Sequence, residues 1–131
     1  MTSEQHKAVL HSWMDAFNAN DRALLDRLAD ELYTPDYVLH DPGFPSLPPG
    51  PAGIRQFVEV VYTNWSKVKL TIEDEVAEGD RVALAFTVIG VSRETGKEMV
   101  VQGMSISRFV DGKIAEEWSV GSPEHEVAPS Q

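Results

Sequence analysis

The sequence predicts an α+β domain in which helices come first and a curved antiparallel sheet then wraps around them. Three observations carry this. Through residue 65 the apolar side chains recur at three- and four-residue spacing, and from Lys67 onward the period changes to two. Short turn signals rich in Gly and Asp separate the strand-like runs. With 131 residues, 42% of them hydrophobic and 24% charged, the chain is the size of one domain spanning 1–131, large enough for a core and an internal pocket.

Thr2, with Gln5 three residues on, is a capping-box signature for a first helix running to about Asn18. Its apolar face is Val9, Leu10, Trp13, Met14 and Phe17. Asn18 to Asp21 makes a turn and a new cap, and Leu24, Leu25, Leu28, Ala29 and Leu32 describe a second helix that stops before Pro35. Tyr37-Val38-Leu39-His40-Asp41 reads as an apolar strand. Pro42 has no N–H for a ladder bond, so the strand ends at Asp41 and leaves two acid/base side chains at its rim.

Residues 42–51 hold five prolines and two glycines, too broken for a helix or a sheet interior. This stiff loop carries the apolar Phe44 and Leu47, and we read it as a lid over a cavity mouth. Pro51 opens a third helix with Ile54, Phe57, Val58, Val61, Tyr62 and Trp65 at helical spacing. Strands follow at Val68–Glu73, Arg81–Ile89, Glu98–Phe109 and Lys113–Val120, with Asp111-Gly112 the strongest hairpin signal. Pro123 onward is a short acidic tail. The strand Arg81–Ile89 is apolar on both faces and needs two coverings. Helices supply one, and a second copy of the chain is expected to supply the other, giving a homodimer.

A formal net charge of −10 repels phosphate backbones and anionic membrane surfaces, so neither nucleic acid nor membrane is an expected partner. The chain has no cysteine, which removes disulfides and thiolate chemistry. Met1 to Lys7 lacks the basic start and apolar run of a signal peptide, and a cytoplasmic protein is expected. His6 and His11 are not at i,i+4 spacing and His125 lies in the tail, so no metal site is expected.

Three segments carry a family resemblance: Gly79-Asp80-Arg81-Val82-Ala83, Gly103 to Phe109, and Asp111-Gly112-Lys113-Ile114-Ala115-Glu116-Glu117-Trp118. With the helix order, the His-Asp-Pro strand end and the Gly50-Pro51-Ala52-Gly53-Ile54-Arg55 helix start, nearly the whole chain resembles the SnoaL-like branch of the nuclear-transport-factor-two-like superfamily. The resemblance implies a cone-shaped barrel, three N-terminal helices packed in a curved, mixed, mainly antiparallel sheet around an internal pocket. It also implies cofactor-independent chemistry on a small apolar compound, such as ring closure of a polyketide intermediate by aldol condensation. In the cyclases an acid/base aspartate lies four residues after the last-strand tryptophan, and here that position is Ser122. The chain is also similar to ketosteroid isomerase, whose general base precedes the proline of this strand and is matched by Asp41. The isomerase's two oxyanion donors are matched by Trp13 and Ser105.

Strand alternation puts Tyr37, Leu39 and Asp41 on one face and Val38 and His40 on the other. Asp41 is thus the first candidate base, though an aspartate there can equally start the loop by accepting backbone N–H bonds. His40 is the second, with a surface anchor as its alternative role. Gly103, Ser105 and Ser107 share one face, and the match of Ser105 favours a cavity there. Glu116 and Glu117 are adjacent and cannot both point into one apolar pocket, so at least one of them is expected to be solvated. Tyr37, Phe57 and Trp118 are expected to shape the substrate, with Trp118 on the inner sheet wall or in the core. The expected function is a cyclase or isomerase in which Asp41 abstracts a proton alpha to a carbonyl. The alternatives are a non-catalytic small-molecule-binding protein and a water-activating hydrolase or dehydratase, which would need a second buried carboxylate or histidine beside Asp41, and the sequence offers no clear one.

Overall fold

The computed structural model describes residues 1–44 and 46–127. Pro45 of the proline-rich loop and residues 128–131 of the acidic tail lie outside the described residues. Helix α1 spans Ser3–Asn18, and Thr2 and Gln5 close the expected capping box. Helix α2 spans Arg22–Leu32 behind the Asp21 cap, whose carboxylate accepts from the Leu24 N–H at 3.0 Å. Helix α3 spans Pro51–Asn64, with proline in the first turn.

The strands are β1 (Tyr33–His40), β2 (Trp65–Glu78), β3 (Arg81–Ser92), β4 (Glu98–Val110), β5 (Lys113–Gly121) and β6 (His125–Glu126). The sheet order is β1-β5-β4-β3-β2, with β6 pairing to β4 beyond the end of β5. β1 runs parallel to β5 and the other pairs are antiparallel, so the sheet is mixed and mainly antiparallel as expected. It curves around the helices without closing, because β1 and β2 remain its two edges.

Several boundaries differ from the sequence reading. β1 begins at Tyr33 and carries Pro35 inside it, which is tolerated because β1 is an edge strand whose pairing to β5 is interrupted between Tyr33 and Val38. Asp41 falls just past the strand end. Trp65 opens β2 instead of closing α3. The expected tail also supplies β6, the backbone of Val127 bonding to Glu98 at 2.9 Å.

The core lies between the helices and the concave sheet face, with Leu10, Phe17, Leu25, Ile54, Val82 and Leu84 among its buried members. Tyr62 Oη donates to the Phe17 carbonyl at 2.6 Å, and Arg55 reaches Asp26 and Asp30, so α3 is tied to both other helices. Gly50 brings the start of α3 against β1: its N–H donates to the Tyr37 carbonyl at 2.7 Å. Its φ is +76°, and a Cβ there would sit 2.3 Å from the Pro35 carbonyl oxygen, so only glycine fits. No helix among the described residues is long and apolar enough to cross a membrane.

Candidate functional site

A cavity of about 670 Å³ opens between the helices and the concave face of the sheet. Helix α1 contributes Trp13 and Phe17 to its wall, and α3 contributes Ile54 and Phe57. These positions follow from the apolar faces of the two helices, which must bury against the sheet. The proline-rich loop adds Pro42, Gly43 and Phe44, and the Phe44 ring packs at 5.0 Å on Phe57. The loop thus forms part of the wall.

Of the residues singled out from sequence, Trp13, Tyr37, Asp41, Phe57, Ser105 and Ser122 line this cavity. Asp41 Oδ1 accepts the Gly43 N–H at 2.8 Å, so the loop-starting role and the cavity position hold together. Ser122 Oγ accepts from the Gln102 N–H and donates to the Pro123 carbonyl, which commits it to backbone. Ser105 projects from β4 between Gly103 and the fully buried Ser107, on the cavity face.

His40 and Trp118 do not reach the cavity. Both stand on the convex face, stacked at 5.5 Å, and the Arg81 guanidinium lies over the indole at 5.3 Å. His40 Nε2 lies 2.7 Å from Glu116, which also receives Arg108. These two partners, His40 foremost, hold the Glu116 carboxyl below its ordinary range against a smaller opposing effect of burial. The expectation that Trp118 forms the inner wall is therefore corrected. A β-bulge at Ala115 is the cause. From the Asp111-Gly112 turn, Val110 pairs with Lys113 and Phe109 with Ile114, but Arg108 then pairs with Glu116. An unbroken ladder would place Trp118 opposite the inward Ser105; the bulge places it opposite the outward Ile106.

The same bulge turns Glu117 inward, opposite Ser107, and this residue was not singled out from sequence. Its carboxyl lines the cavity and takes two hydroxyl donors, Tyr37 Oη at 2.6 Å and Ser107 Oγ at 2.5 Å. Burial pushes its pKa above the ordinary carboxylate value, and the two hydrogen bonds offset only part of that rise. Burial, with the Glu117 charge behind it, likewise pushes the Tyr37 phenol far up. The site therefore combines a partly exposed carboxylate at Asp41 with an enclosed, hydroxyl-bound one at Glu117. Among the described residues no cluster of His, Cys, Asp or Glu has the arrangement to hold a metal ion.

A family model, the SnoaL-like domain, matches residues 10–117. Among solved structures, TsrD from Streptomyces laurentii is similar with 21% identity over 92% of this chain and 90% of that one, TM-score 0.79. AclR from Streptomyces galilaeus, assigned as a candidate hydroxylase, is 25% identical over 92% and 91% of the two chains, TM-score 0.78. IdmH from Streptomyces antibioticus, assigned as a candidate polyketide cyclase, is 27% identical over 89% and 91%, TM-score 0.74. No curated protein matches the sequence.

Proposed function

We propose that this chain, which belongs to the SnoaL-like domain family, is a cofactor-independent cyclase or isomerase acting by acid/base chemistry on a small apolar carbonyl compound. The carrying observation is Asp41 on the wall of an otherwise largely apolar, aromatic-lined cavity. Its Oδ1 is fixed by the Gly43 N–H, so the carboxylate is oriented before substrate enters. Asp41 takes the proton alpha to the carbonyl, the electron pair moves onto the oxygen, and the resulting enolate attacks a second carbonyl or is reprotonated at another carbon. Trp13, Phe57 and Ser105 shape and orient the chain during this step. The assignment of IdmH as a candidate polyketide cyclase supports a polyketide intermediate as the substrate class.

The test uses α-proton exchange of 2-tetralone, a small apolar ketone, in D2O, followed by proton NMR. The wild type should accelerate exchange, and Asp41→Asn should lower that acceleration roughly 100-fold or more. Full exchange in Asp41→Asn would overturn the mechanism, and binding without exchange in the wild type would make this a binding protein. A second reading, a water-activating hydrolase or dehydratase, is favoured by one observation: Glu117 is a second carboxylate on the wall of the cavity that Asp41 lines.

The convex face supports a homodimer. Met104 and Val120, opposite each other in the β4–β5 ladder, are 64% and 57% exposed, and Ile106 and Val76 extend the apolar patch. Sedimentation at micromolar concentration should give a dimer, and Met104→Glu with Val120→Glu should give a monomer. A wild type that sediments only as monomer contradicts this.

A further inference from the structure

The mechanism above leaves the most enclosed carboxyl of the cavity unused. Glu117 receives Tyr37 Oη on one oxygen and Ser107 Oγ on the other. While Glu117 is ionised, both hydroxyl hydrogens point at it. Once it carries a proton, the carboxyl must itself donate to one of those hydroxyls, and that hydroxyl's hydrogen is released to another acceptor. Ser107 is fully buried and is no part of the cavity wall, whereas Tyr37 lines the cavity. Only the Tyr37 hydrogen has a ligand to go to.

We infer that Tyr37, backed by Glu117, is the hydrogen-bond donor to the carbonyl oxygen of the bound compound. Tyr37 is then the catalytic residue that meets the developing oxyanion, and Glu117 is a positioning residue acting through it. The step is hydrogen bonding alone: Glu117 O–H donates to Tyr37 Oη, and Tyr37 O–H donates to the ligand oxygen. The burial that raises the Glu117 pKa keeps the proton on this arm to a higher pH than an exposed carboxyl would. Ligands bearing a carbonyl are selected over equally apolar hydrocarbons, because a buried donor left without an acceptor is costly.

The groups that bear on Glu117 are Tyr33 and Tyr37 from β1, with Asp41 beyond its end acting on Tyr37. From β4 comes the uncharged Ser107. Helices α1 and α3 contribute no ionisable side chain to the cavity wall, and the other charged lining residues are Arg93, Glu94 and Glu124. Glu117 is thus the group whose titration changes what Tyr37 can donate to.

This assignment rests on the cavity being the binding site, and the test separates the two. The probe is 2-acetonaphthone carrying ¹³C at its carbonyl, an aromatic ketone with no ionisation of its own, observed by NMR across pH. In the wild type the bound carbonyl signal should lie downfield at low pH and move upfield as Glu117 ionises. Tyr37→Phe should lose the downfield position and weaken binding roughly tenfold. Glu117→Gln, whose amide can still donate to Tyr37, should keep it with no pH step. A carbonyl signal unchanged in Tyr37→Phe, or a Glu117→Gln profile that follows the wild type, would overturn the inference. Asp41→Asn should keep the carbonyl signal while losing α-proton exchange, so failure of the base leaves the donor standing. A ketone that does not bind the wild type removes both readings.

Discussion

Glu116 and Glu117 are chemically identical neighbours on one strand, and the sheet sends them to opposite environments. Glu116 stands on the convex face, where His40 and Arg108 favour its charged form. Glu117 stands in the cavity, where burial favours its neutral form and two hydroxyls, in place of cations, are its partners. The residues opposite them repeat the contrast, since Arg108 pairs with Glu116 and Ser107 with Glu117. Chemistry in this fold is therefore set by which side of a single sheet a residue faces, and that side is set by the bulge at Ala115.

The most severe way to break the contrast is to give the inner face the charged partner of the outer one. Ser107→Arg puts a charged side chain at a fully buried position opposite Glu117, costing more than about 4 kcal/mol. Denaturant unfolding should show a collapse of the midpoint or no cooperative transition; a variant of wild-type stability would mean that the two faces do not differ in burial. A smaller effect is expected from Ser107→Ala, which leaves one oxygen of the Glu117 carboxyl without its donor, at about 1–3 kcal/mol. Ile106→Thr, one residue away on the convex face, should stay within about 0.5 kcal/mol. Equal losses at 106 and 107 would erase the distinction between the faces.

The smallest effects lie in the pH dependence, where the two glutamates should have opposite signs. Glu117 has a folded pKa above the ordinary 4.5, so the folded chain holds its proton more tightly than the unfolded chain. Its contribution is full below 4.5 and is lost as pH rises through the folded value. Glu117→Gln should flatten the fall in thermal midpoint on that side. Glu116 has a folded pKa below 4.5, so its contribution is present above that value and lost as pH falls. Glu116→Gln should flatten only the acid side.

Much of this was legible in the chain. The capping box at Thr2 and Gln5, the Asp21 cap and Pro51 mark the helix starts because caps act locally. Strand parity puts Asp41 on the cavity wall with Tyr37 and Leu39, since the pairing runs unbroken from Val38 to His40. Parity counted from the Asp111-Gly112 turn does not survive to Trp118. The one-residue register shift at Ala115 reverses every later side chain, and Ala115 carries no glycine or other signal of a bulge. Glu117 was hidden by the same shift, and its two hydroxyl partners are 80 and 10 residues away in sequence. The start of β1 was hidden by Pro35, which reads as a strand breaker until the strand is known to be an edge.

The most direct test of this two-faced strand is a ¹³C side-chain carboxyl NMR titration of the unliganded protein, with Glu116→Gln and Glu117→Gln used to assign the two signals. Glu117 should titrate above 4.5 and Glu116 below it. Two signals that titrate together near the ordinary value would contradict the split environment on which the proposed donor arm depends.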